Sequence, residues 1–125
     1  MRSTATPAEA PWLGRFLRPR HAACECDIIQ WKGSGEADTP AADAHCRLFV
    51  DAAEGVIASA AFAAFGPPVV IACADWVCEW LSGRTIDAAR SLTVREFEQA
   101  LVLAPHERYA GLLVLDALTG ALRDV

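Results

Sequence analysis

A chain of 125 residues that is 54% hydrophobic and carries a net charge of −5 is long enough for one core and too apolar to stay unfolded. The acidic balance argues against nucleic acid as the main partner. Five cysteines without regular spacing do not make a secreted disulfide framework, so free thiols and a cytoplasmic location are expected. Asp75 and Glu79 interrupt the longest apolar run, and MRSTATPAEAPW lacks the apolar stretch of a signal peptide. No membrane association is expected.

In chain order, Met1–Ala10 reads as a flexible tail and residues 11–125 as a single domain. Pro11–Leu17 predicts a short helix that packs Trp12, Leu13 and Phe16 on the core and stops at Pro19. Arg15, Arg18, Arg20 and His21 form a basic cluster. A solvated turn is its ordinary reading and a partner contact the sharper one. Ala22–Lys32 is rich in strand formers and predicts an extended segment. Gly33–Asp43 predicts a turn-rich loop. Its Gly33-x-Gly35 pair is not a phosphate loop, since no Gly-Lys-Ser/Thr follows. Cys46–Val50 predicts a strand, Asp51–Gly55 a turn and Val56–Phe65 the hairpin partner.

The turn Gly66-Pro67-Pro68 opens the stretch that forms the core, a helix from Val69 whose only polar stripe is Asp75, Glu79 and Ser82. Gly83 suits the left-handed position past the helix end, and Thr85 caps a short helix to Leu92. Thr93-x-x-Glu96 predicts a capping box opening a helix over Val94–Leu101. After the turn Leu103-Ala104-Pro105, a last helix runs to about Leu122, with Ala110, Leu113, Val114, Ala117, Leu118 and Ala121 as its buried stripe. Strands first and helices after predict an α+β fold: a small antiparallel three-stranded sheet with helices packed on one face.

This order of features resembles the iron–sulfur cluster assembly scaffolds of the IscU type, the N-terminal domain of NifU. Phe16-Leu17-Arg18-Pro19-Arg20-His21 stands where that family has Tyr-x-Asn-Pro-Arg-Asn. Gly33-Ser34-Gly35 matches its Gly-Thr-Gly loop, and Thr39-Pro40-Ala41 its Ala-Pro-Ala. Phe65-Gly66, Ile71-Ala72, Glu79-Trp80 and Gly83-Arg84-Thr85-Ile86-Asp87 are similar to its Tyr-Gly, Ile-Ala, Glu-Trp and Gly-Lys-Ser-Leu-Asp. Leu103-Ala104-Pro105 and Asp116-Ala117 match a Leu-Pro-Pro loop and a Glu-Asp-Ala segment. The likeness covers about residues 12–122 and implies the family's fold.

It also implies a site, which this chain departs from. The family holds its cluster or a zinc ion with three cysteines, an aspartate two residues after the first and a histidine just before the third; soft thiolates suit iron. By the resemblance the first cysteine falls on Ala42, the aspartate on Ala44 beside Asp43, the second cysteine on Pro67, and the histidine–cysteine pair on Tyr109-Ala110. Alanine and proline side chains bind no metal, and no cofactor is expected. The chaperone-recognition loop, Leu-Pro-Pro-Val-Lys in the family, reads Leu103-Ala104-Pro105-His106-Glu107 here.

Other ligands remain open. Cys24 and Cys26 lie two apart in a segment read as extended and can reach one metal. Cys73 and Cys78 are five apart on a helix and cannot. Cys46 shares a face with Leu48 and Val50, which favours packing, and Asp43, His45 and His106 lack a thiolate and a diagnostic spacing. His45 and Cys46 are neighbours in a strand and point to opposite faces, so they do not act on each other, and no other nucleophile–base motif stands out. An enzyme is not expected.

Three readings follow. The first is a non-enzymatic, protein-binding or regulatory module linked to iron–sulfur cluster assembly. Its partner surface is Ala42, Pro67, Leu103, Pro105, His106, Tyr109 and Ala110, and its partner a protein, with the assembly machinery as first candidate. The second is a working iron–sulfur or zinc scaffold built on Cys24, Cys26, His45, Cys46 or His106. The third is a structural homodimer, hinted at by Leu112 and Leu115 outside the last helix's main stripe.

Overall fold

The computed structural model describes residues 10–23 and 31–125. The expected tail, Met1–Ala10, lies outside them but for Ala10, as does most of the segment Ala22–Lys32, Cys24 and Cys26 included. The start of that segment runs beside the sheet: the Ala23 N–H donates to the Phe62 carbonyl at 2.7 Å, and the Phe62 N–H donates to the backbone carbonyl of the preceding His21 at 3.0 Å.

Three antiparallel strands, β1 (Gly33–Thr39), β2 (Ala44–Ala53) and β3 (Val56–Phe65), form a sheet in the order β1-β2-β3. β1 is a correction, because Gly33–Asp43 reads as a loop in sequence. The chain instead pairs in register from Gly33 opposite Val50 to Thr39 opposite Ala44. Only Pro40–Ala42, a single 3₁₀ turn, and Asp43, in the left-handed region at φ 51°, make the loop. The glycines serve packing: a Cβ on Gly35 would lie 2.3 Å from both the Ala117 carbonyl oxygen and the Ala121 nitrogen. Ladder bonds and this close approach outweigh the low strand propensity of glycine.

β2 and β3 form the expected hairpin with a turn narrowed to Glu54 and Gly55, both at positive φ (54° and 78°). That conformation matches the twist of the flanking strands. A bulge between Asp51 and Ala52 shifts the register, so Ile57 still points into the core.

Helix α2 (Pro68–Leu81) crosses the sheet, and Gly83 follows it at φ 86°. Thr85 accepts the Ala88 N–H at 3.1 Å and opens α3 (Ile86–Arg90). At the start of α4 (Val94–Leu101) the expected box is not made. Thr93 turns its hydroxyl onto the Glu96 carboxylate instead of accepting a backbone N–H. The last helix begins as a 3₁₀ turn over Pro105–Glu107 and continues as α5 (Arg108–Ala121), and its predicted stripe is buried throughout. A short α1 (Leu13–Leu17) packs on α2.

The core lies between one face of the sheet and the pair α2–α5. Cys46, Leu48 and Val50 of β2 meet Val70, Cys73 and Val77 of α2 and Val114 and Leu118 of α5. α4 covers α5, with Phe97 against Gly111, and the same Phe97 ring meets Trp76 of α2 at 4.9 Å between ring centres. No helix among the described residues is long and apolar enough to cross a membrane.

Candidate functional site

Two turns meet at one end of the molecule. Gly66, at φ 131°, packs so tightly on Ala44 that a Cβ there would come within 2.9 Å of it. This sets the loop Pro40–Asp43 beside the turn that carries Pro67. The start of the last helix closes the third side. Glu107 fixes it: its Oε1 accepts the Ala104 N–H at 2.8 Å, and its Oε2 accepts the Trp12 indole N–H at 3.1 Å. One carboxylate thereby ties the N-terminal segment to the 3₁₀ turn across 95 positions of sequence.

Between the Pro67 turn, Trp12 and the start of the last helix lies a cleft of about 200 Å³, lined by Trp12, Pro67, Pro68, Val69, His106, Glu107 and Tyr109. Of the seven residues expected to meet a partner, Pro67, His106 and Tyr109 share it. Ala42 and Leu103 pack against the core, half-buried, and Pro105 is exposed at the start of the 3₁₀ turn. Ala110 requires a correction: it is fully buried among the core side chains and offers nothing to a partner. It follows Tyr109 by 100° around α5, which turns it from the cleft into the α2–α5 interface. Trp12, Pro68, Val69 and Glu107 are lining residues that the sequence reading did not include, Trp12 being the most distant in the chain. Its indole N–H partner, Glu107, is too distant in the chain for any local pattern to reveal.

The chemistry of the cleft is mainly that of apolar contact. Burial raises the Tyr109 phenol above its ordinary value, so it stays neutral near pH 7. The thiols among the described residues are withdrawn: Cys46, Cys73 and Cys78 are fully buried. Burial pushes Cys46 up to about 12 and raises Cys73 and Cys78 as well. A neutral thiol is a poor metal ligand and a poor nucleophile.

His45 is held elsewhere. It stacks on Phe65 at 5.5 Å between ring centres, with Asp38 on Nδ1 at 2.5 Å and Glu36 on Nε2 at 3.4 Å. Carboxylates on opposite ring nitrogens do not converge on one point, so His45 does not join Asp43 and His106. Among the described residues, no group of three or more His, Cys, Asp or Glu side chains is arranged to hold a metal.

Within the predicted polar stripe of α2, one residue is withdrawn from solvent. Asp75 is 1% exposed. It accepts the Arg20 and His21 N–H groups at 2.7 and 2.9 Å and Arg15 Nη1 at 3.0 Å. Arg15 also reaches Glu79 at 3.1 Å. Asp75 faces the N-terminal segment, because a buried carboxylate needs partners and that turn supplies them, while Glu79 and Ser82 stay exposed.

The family described as "NifU-like N terminal domain" matches residues 12–124. The iron–sulfur cluster assembly scaffold protein IscU of Escherichia coli strain K12 is 30% identical over 113 residues, covering 90% of this chain and 88% of that protein. IscU of Azotobacter vinelandii is 31% identical over 93 residues, 74% of this chain and 73% of that protein. Among solved structures, the N-terminal part of a nitrogen-fixing NifU-like protein from Brucella abortus superposes with a TM-score of 0.64 at 16% identity, covering 91% of this chain and 90% of that one. A protein assigned as an assembly scaffold for the SUF system of Fervidobacterium islandicum AW-1 gives 0.71 at 14% identity, with coverage of 90% and 93%. At these identities the structural likeness concerns the fold.

Proposed function

Since this chain belongs to the family of NifU-like N-terminal domains, we propose that it is a non-enzymatic member in which a protein-docking cleft has taken the place of the family's metal ligands. The observation that carries this reading is the pairing of Pro67 and Tyr109 in one cleft beside Trp12. Those positions answer, by the resemblance, to a cysteine and a histidine. An iron–sulfur cluster, the cargo of the related scaffolds, needs anionic sulfur or imidazole. Proline offers no donor, and a neutral phenol is a poor one. Alanine at positions 42, 44 and 110 offers none either.

What the cleft offers is apolar surface, worth about 25 cal/mol per Å² when covered. On this reading the domain works in the cytoplasm and docks on a protein of the iron–sulfur assembly machinery that recognises the family's shape. Anaerobic reconstitution of the untagged protein with ferrous iron and sulfide, read by absorption and metal analysis, is expected to leave no stoichiometric cluster. Binding to isolated assembly proteins, measured by calorimetry, is expected and should be lost in Tyr109→Asp. A stoichiometric cluster would replace this reading by that of a working scaffold on other ligands. A stable dimer that binds no assembly protein would replace it by that of a structural homodimer.

A further inference from the structure

We propose that the hollow beside α1 is a recognition site for an acidic segment of a partner protein. It rests on side chains other than those of the cleft and does not depend on the function proposed above. Three arginines, Arg15, Arg18 and Arg20, line a space of about 650 Å³ that also carries two carboxylates, Asp75 and Glu79. Their placement is fixed from below. Oδ1 of the buried Asp75 accepts the backbone N–H groups of Arg20 and His21, which sets the path of the turn. Oδ2 takes Arg15. The backbone that presents the arginines is therefore already ordered before anything binds, which lowers the entropic cost of association.

The three guanidinium groups differ in what they already hold. Arg15 is engaged by Asp75 and Glu79. Arg18 and Arg20 are exposed, and among the described residues neither side chain makes a hydrogen bond or an ion pair. The two arginines that face outward are thus the two with no carboxylate in direct contact among the described residues, Arg20 acting on Glu79 through its charge alone. In a chain of net charge −5, such a place attracts an acidic group that the rest of the surface repels.

The residue type narrows the ligand further. Arginine presents a planar fork that matches a carboxylate through two parallel hydrogen bonds. A side chain added at Gly14 would meet nothing within 4 Å, so that side of the hollow is open to an approaching chain. A nucleic acid would need a longer basic track and would bring a dense row of phosphates toward an acidic protein. A short run of Asp or Glu side chains fits both the size and the sign.

The test is fluorescence anisotropy with a labelled octaglutamate peptide at about 50 mM salt, with a labelled 20-nucleotide single-stranded DNA as the competing polyanion. Saturable binding of the peptide is expected, weakened about tenfold in Arg18→Ala/Arg20→Ala. Arg18→Lys/Arg20→Lys should recover only part of it, since lysine keeps the charge and loses the fork. Arg90→Ala/Arg123→Ala, which removes the same charge elsewhere, should bind as the wild type does, and so should Tyr109→Asp. Lack of saturable binding, equal affinity in the Arg18/Arg20 double variant, equal weakening in the Arg90/Arg123 variant, or tighter binding of the DNA would each overturn the proposal.

Discussion

Helix α5 lies on β1 with its backbone against bare glycine, whereas α1 is joined to α2 through one buried carboxylate. In the first seam the Ala117 carbonyl and the Ala121 nitrogen occupy the space a Gly35 side chain would need. In the second, Asp75 gathers two backbone N–H groups and an arginine. The glycine seam works by leaving something out, so its contacts are short, numerous and without direction. The carboxylate seam concentrates its effect in a few directed bonds, and removing the carboxylate strands all the donors together. The first belongs to the core and the second positions a surface.

The sharpest way to break this comparison is to place the same methyl group in the glycine seam and on the open face of α1. Gly35→Ala is expected to cost about 3 kcal/mol or more in denaturant unfolding, because backbone must move to admit it. Gly14→Ala in α1 meets open space and is expected to stay within about 1 kcal/mol, on the stabilising side if anything. Equal effects at the two sites would remove the distinction. Next in size is Asp75→Ala, expected to cost about 2 kcal/mol. This is below the range for a fully buried pair, since Arg15 keeps 28% of its side chain exposed. Thr85→Ala removes one cap, the bond from the Ala88 N–H, and calibrates both seams with an expected loss of about 1 kcal/mol in the same unfolding experiment.

The smallest effect should appear only as a pH dependence. Hydrogen bonding to Arg15, and then its charge, holds the Glu79 carboxylate below its ordinary value of 4.5. A carboxyl depressed in the folded state adds stability above its unfolded value, and that stability is lost as the pH falls through the folded one. Glu79 is largely exposed, so solvent screens most of this. Thermal unfolding of Glu79→Gln across the acid range is expected to show a slightly flatter profile than the wild type. A profile of unchanged slope would mean that the Arg15–Glu79 contact contributes nothing.

How much of this was legible in the sequence depended on the range of the interaction. The hairpin over Val56–Phe65, the stop at Gly83, the Thr85 cap and the stripe of α5 are written in neighbouring residues and read correctly. β1 was misread because Gly33 and Gly35 look like turn formers until the helix 80 positions later is laid against them. The burial of Asp75 within its polar stripe could not be read, because Arg15 and the 20–21 turn lie more than 50 residues away. At the candidate site, the resemblance points to Pro67, Tyr109 and Ala110; the first two line the cleft, and Ala110 is buried behind it. Adjacent positions on a helix face different surroundings, and a motif written as a line of residues hides that rotation.

The buried thiols carry a last consequence. Cys46 on β2 and Cys73 and Cys78 on α2 sit where the sheet and its helix touch, protonated by their surroundings. An alkylating reagent finds no nucleophile at these three sulfurs until the two layers part. Their rates of modification, followed cysteine by cysteine in a mass spectrometer, therefore make a clock that ticks only when the molecule opens.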